Sequence, residues 1–96
     1  METRYVERIT LASELDKKVA CAEIKVGDII IRGVHVWRSG NGRLRVFFPS
    51  YHVVGPVWQD SVVVSAEVRS EIEAELIAAY REQRKEEQRK AAKREE

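Results

Sequence analysis

The stretch "HVWRSGNGRLRVFFPSYH", His35 to His52, sets arginines and large aromatic rings at alternating positions on either side of a glycine-rich turn. Such a set supports non-covalent chemistry. Arg43 and Arg45 can neutralise phosphates, and Trp37 and Phe47 offer flat rings on which bases stack. The same two rings could instead fill a contact between two copies of the chain, with the arginines at its rim. Tyr51 and His52, just past Pro49-Ser50, could add stacking or hydrogen bonds to a nucleotide. The candidate nucleic-acid residues are therefore Arg43, Arg45, Tyr51 and His52, and the candidate dimer contacts are Trp37 and Phe47.

Residues that could carry a reaction are sparse. His35 and His52 have no cysteine or carboxylate at ligand spacing, so no metal site is expected. Cys21 falls within a strand and reads as a small core or half-buried residue, not a nucleophile. Asp60 has no acid-base partner in sequence and reads as a turn cap or a local ion pair. The expectation is a protein that is not an enzyme and needs no cofactor.

The elements that must position these residues change character near Val64-Ser65. Before that point β-branched and aromatic residues alternate with polar ones between glycines, which is strand chemistry. After it glycine and proline vanish, and Glu, Ala, Lys and Arg dominate, which is helix chemistry. Strands are expected at about 4–11, 19–26, 28–38 and 43–48. Gly27 suits the first central position of a type II′ turn, which would set Glu23 opposite Arg32. The apolar residues slip phase from Ile29 and Ile31 to Val34 and Val36, which predicts a bulge at Arg32-Gly33.

Parity then decides the faces of the hairpin. Val34 and Val36 share a side with Leu44, Val46 and Phe48 only if the loop has three residues, Gly40-Asn41-Gly42, with Gly42 in the left-handed region. His35, Trp37, Arg43, Arg45 and Phe47 then fall on the opposite side. The segment from Pro49 to Asp60 reads as an irregular connection with a turn at Gly55-Pro56. Ser65 is a natural N-cap, and Glu67, Glu71 and Glu73 suit the positive end of a helix. Val68, Ile72, Leu76 and Ala79-Tyr80 form one apolar stripe that should lie on the sheet. Beyond Tyr80 the stripe ends. Residues 81–96 carry seven Lys and Arg against five Glu, and read as a solvated helical extension or a frayed tail.

With the strands placed, the middle of the chain resembles the SpoVG family, the stage V sporulation (septation) protein G. The residues that carry the resemblance are Ala20-Cys21-Ala22-Glu23-Ile24, Val34-His35-Val36, Gly42 with Leu44, and Phe48-Pro49-Ser50. Trp58-Gln59-Asp60, Arg69 with Ile72, and Ala79-Tyr80 follow in the family order. The resemblance covers about 19–80. It implies a small antiparallel sheet of about four strands in a meander with one long C-terminal helix packed on it, an α+β fold. It also implies a homodimer that binds DNA, and RNA as a second ligand, in bacterial regulation. On that reading 1–80 is the SpoVG-like domain and 81–96 a charged extension. Two features depart from the family. Its Lys-Arg pair after Pro-Ser is Tyr51-His52 here, and its His-Pro before the helix is replaced within Ser61-Val62-Val63-Val64. Loss of the basic pair leaves a second expectation, a non-enzymatic protein-interaction or structural dimer.

Composition bounds the rest. Ninety-six residues, 44% of them hydrophobic, allow one domain with a modest core. A formal net charge of +1 gives no global field, so attraction to a polyanion must be local. The longest apolar runs are too short to cross a bilayer, "METRYVERIT" has no signal-like apolar core, and one cysteine cannot form an internal disulfide. These point to a soluble protein of the reducing cytoplasm with no membrane partner.

Overall fold

The structure, a computed structural model, describes residues 4–13 and 15–95, the side chains of 94 and 95 excepted, so the tail charges of Arg94, Glu95 and Glu96 lie outside the described groups. Strands β1 (Val6–Leu11), β2 (Lys18–Val26), β3 (Ile29–Arg38) and β4 (Leu44–Phe47) form an antiparallel meander in the order β1-β2-β3-β4. β5 (Ser50–Val54) and β6 (Val57–Asp60) form a separate two-stranded sheet, and α1 (Ala66–Glu95) closes the chain. The fold is α+β.

Turn chemistry sets the registers. Gly27, at φ +62°, opens the two-residue turn between Val26 and its partner Ile29. Ala22 faces Val34 while Ile24 faces Ile31, so β3 carries one extra residue, and Gly33 takes it up at φ +82°. The phase slip in the sequence is that bulge, and Glu23 meets Arg32 across it at 3.4 Å. In the next hairpin Val36 faces Val46 and Trp37 faces Arg45. Ser39 N–H donates to the Arg43 carbonyl, leaving Gly40-Asn41-Gly42 as the loop, with Gly42 at φ +83°. The three-residue loop expected from parity is the one that forms.

The core lies between one face of the meander and α1. Val19, Ala20, Ala22, Ile24, Ile31, Val34, Val36, Val46 and Phe48 point inward from the sheet. Ile72, Leu76 and Tyr80, four residues apart on one helix face, meet them. Each of the buried Val, Ile, Leu and Phe side chains contributes about 1.5–3 kcal/mol by leaving water. Ser65 caps α1 as expected: its hydroxyl accepts from the Val68 N–H at 3.3 Å and its carbonyl from Arg69 N–H at 2.9 Å.

Three expectations need correction. The segment after Pro49 is a β-hairpin, not an irregular connection. Gly55-Pro56 does turn the chain, but the flanking Tyr51, Val53, Val57 and Trp58 are strand formers, and turn residues between strand formers make a hairpin. Cys21 is exposed, because Ala20, Ala22 and Ile24 take the inward positions and alternation sends Cys21 outward. The apolar stripe of α1 ends at Tyr80, yet its line continues. Arg84, one turn on, is buried and donates through Nη2 to the carbonyls of Ala12 (2.9 Å) and Val19 (3.3 Å). The helix then runs unbroken to Glu95, 30 residues in all, or about 45 Å.

Candidate nucleic-acid interface

The face of the meander opposite α1 is open, with Arg8, Thr10, Cys21, Arg32, Arg45 and Phe47 all exposed. Strand pairing arranges these residues in rows. Thr10, Cys21, His35 and Phe47 make one row across all four strands, and Lys18, Trp37 and Arg45 make the next. Arg8 faces Glu23 in a third row, beside Arg32. Three strands thus bring two aromatic rings and their flanking cations together.

The aromatic pair is ordered by its neighbours. Trp37 and Phe47 meet edge to face, with centroids 5.9 Å apart and planes at 73°. The Lys18 ammonium sits 5.8 Å from the Trp37 centroid and the Arg45 guanidinium 5.7 Å from that of Phe47. Each is a cation–π contact, with Arg45 exposed and Lys18 half-buried. Below the rings, Gly33, His35 and the 48–50 segment complete a shallow groove of about 550 Å³. Burial, and then the nearby Lys18 ammonium, hold His35 below the ordinary imidazole pKa, so the groove wall is uncharged at neutral pH. Its Nδ1 is buried without a hydrogen-bond partner.

The expected site residues divide among three places. Arg45, Trp37 and Phe47 share the open face, and Phe47 is 43% exposed. Arg43 is exposed at the end of the hairpin loop, where its N–H donates to Asn41 Oδ1. Tyr51 and His52 lie instead on the β5–β6 hairpin and are engaged within it. The Tyr51 hydroxyl donates to Gln59 Oε1 at 2.7 Å, while His52 Nε2 lies 2.6 Å from the Gly55 carbonyl, its ring 5.1 Å from Trp58. Sequence reasoning missed Lys18 and Arg8. Alternation in β1 could have given Arg8. Lys18 was concealed by a second bulge, at Val19, which sets Lys18 rather than Val19 opposite Trp37.

Asp60 and Arg69 find a structural role. Arg69 Nη1 binds Asp60 at 3.0 Å and its Nε binds Glu73 at 3.2 Å, while the guanidinium lies 4.8 Å from the Phe48 ring centroid. Its pKa is raised, chiefly by the hydrogen bond to Asp60. The pair ties the end of β6 to α1. Among the described residues no three His, Cys, Asp or Glu side chains gather as a metal ion requires, and no helix is long and apolar enough to cross a membrane.

No protein-family model, curated protein or solved structure matches the chain.

Proposed function

We propose that this chain is a homodimeric, non-enzymatic nucleic-acid-binding regulator of the bacterial cytoplasm that holds DNA mainly through its phosphates. The observation that carries this reading is the open sheet face. Arg8, Lys18 and Arg45 make no ion pair among the described residues, and Lys18 and Arg45 flank the half-buried Trp37 and the exposed Phe47. With a net charge of only +1, this local cluster supplies the attraction that the chain as a whole lacks. The resemblance to the SpoVG family favours the same reading, and the single cysteine suits a reducing compartment.

The contact between copies that this reading favours is the β5–β6 hairpin, rather than Trp37 and Phe47. Val54 (65%) and Trp58 (62%) lead a run of apolar side chains left in solvent there. A two-fold contact through the sheet face would instead set the cations of one copy against those of the other. The exposed hairpin also supports the second reading, a protein-interaction dimer without nucleic acid.

Binding of labelled duplex DNA across a salt series separates the two. Four arginines per dimer, Arg43 and Arg45 from each copy, predict a slope of log K against log salt of roughly −3 to −4. Arg43→Ala with Arg45→Ala should weaken binding and flatten that slope, whereas Lys-Arg introduced at positions 51 and 52 should strengthen it. Absence of DNA binding at low salt would leave only the protein-interaction reading.

A further inference from the structure

We propose that the open face takes single-stranded nucleic acid, with an unstacked base seated in the groove against Trp37 and Phe47 and its flanking phosphates on Lys18 and Arg45. This rests on the nucleic-acid reading above and specifies its substrate. A duplex presents phosphates outside and keeps its base faces stacked within, so it has no π-face to offer these rings. The major groove of an undistorted duplex admits a helix or a two-stranded ribbon, and a four-stranded sheet is broader than either. A single strand presents both chemistries at once, base faces and phosphates a few ångströms apart.

The geometry fits that occupant. The edge-to-face pairing of Trp37 and Phe47 turns the two rings to different directions, so a base stacked on one abuts the other. Lys18 and Arg45 lie over the ring faces, the positions a base would take. Both are long side chains, Arg45 exposed and Lys18 half-buried, and rotation about their stems carries the charges to phosphates and uncovers the rings. The groove floor carries no side chain at Gly33, and a Cβ there would meet Pro49 Cγ in ordinary contact at 3.8 Å. Neutral His35 closes the wall without adding charge. The occupant is chosen by charge complementarity: the rows beside the groove hold Arg8, Arg32, Lys18 and Arg45, and their carboxylate, Glu23, is already engaged by Arg32.

The test uses the full chain carrying Trp58→Phe, so that tryptophan emission reports Trp37 alone, with labelled single strands of about 15 nucleotides and the same sequences as duplexes. The expected result is tighter binding of single strand than of duplex at each salt concentration, with quenching of Trp37 emission. Trp37→Ala or Phe47→Ala should each lower single-strand affinity about 5- to 100-fold while leaving the salt slope unchanged, because stacking releases no counterions. Lys18→Ala with Arg45→Ala should instead flatten the slope. Trp37→Phe keeps a ring and should retain most of the affinity, which separates stacking from a folding defect. Equal binding of both forms without quenching would overturn the single-strand assignment and leave the phosphate-binding reading intact. No binding of either form would remove the reading beneath it. Loss of the dimer in Trp37→Ala would make this face a protein contact and overturn the proposal.

Discussion

At the residue scale, single polar side chains fasten the ends of the fold. Glu75 on α1 accepts the backbone N–H groups of Arg4, Tyr5 and Val6, the latter two at 2.7 Å, and so ties the start of the chain to the helix. The Tyr5 hydroxyl donates to Glu71, which raises the phenol pKa, with burial adding to the effect. Arg84 does the same work at the other end. It holds the β1–β2 loop, stacks 5.2 Å from the Tyr80 ring centroid and pairs with Glu87 at 2.9 Å. Arg84→Met keeps the apolar stem but leaves the Ala12 carbonyl without this donor, so urea unfolding should show a loss of about 1–3 kcal/mol. His35 gives a pH dependence of defined sign. Its folded pKa lies below the ordinary 6.5, so the unfolded chain takes up the proton first as pH falls. The stability this group contributes is present above about pH 6.5 and is lost as pH drops through the folded value. Urea midpoints measured across that range should fall less in His35→Gln than in the natural chain.

At the element scale, the sheet depends on backbone conformations that few residues adopt. Gly33 takes the bulge at φ +82°, and a Cβ there would meet only ordinary contacts, so the cost of a side chain is one of backbone strain. Gly33→Ala should cost about 1–2 kcal/mol in chemical denaturation and shift His35 relative to Ile31, distorting the groove as well. The Gly40-Asn41-Gly42 loop sets which residues of β4 face outward. Deleting one loop residue would exchange the faces of Arg45 and Val46 or force a new bulge, so that variant should lose cooperative unfolding. The β5–β6 hairpin gains little from the core, and its Trp58 and Tyr51 stand in solvent. Its base is held by the Ser61 N–H to the Pro49 carbonyl at 2.7 Å and by the Asp60–Arg69 pair.

At the scale of the whole molecule, one helix covers one face of one sheet, and the chain spans 52 × 32 × 20 Å. Two surfaces remain uncovered, one cationic and aromatic, the other apolar. Their chemistry assigns them differently, and sedimentation should show a dimer that Val54→Asp with Trp58→Asp converts to a folded monomer. The helix beyond Arg84 carries exposed charges of both signs, interspersed along its length. Truncation after Ala91 should therefore leave stability and DNA binding nearly unchanged. Truncation after Tyr80 removes the Arg84 anchor and should lower the thermal midpoint, with a smaller effect on DNA binding than Arg43→Ala with Arg45→Ala.

Local rules read the meander, the turns at Gly27 and Gly42, the bulge at Gly33 and the capped helix from the sequence, because each is encoded within a few residues. Glycines mark the positive φ positions, two-residue alternation marks the faces, and four-residue spacing marks the stripe from Ile72 to Tyr80. Parity likewise put Trp37, Arg45 and Phe47 on one side. What local rules left open depends on groups distant in sequence. Arg84 is buried because two carbonyls far earlier in the chain, that of Ala12 in the β1–β2 loop and that of Val19 in β2, turn toward it. Lys18 reaches Trp37 because a bulge at Val19, on its own strand, shifts the pairing of β2 with β3. The pairing with Gln59 and Trp58 that draws Tyr51 and His52 into a second sheet was, by contrast, signalled locally, by the strand formers on both sides of Gly55-Pro56. Alternation and turn preference act over a few bonds and leave a direct trace in the order of residues. The partners of a buried guanidinium or a shifted strand are chosen only when the chain closes on itself.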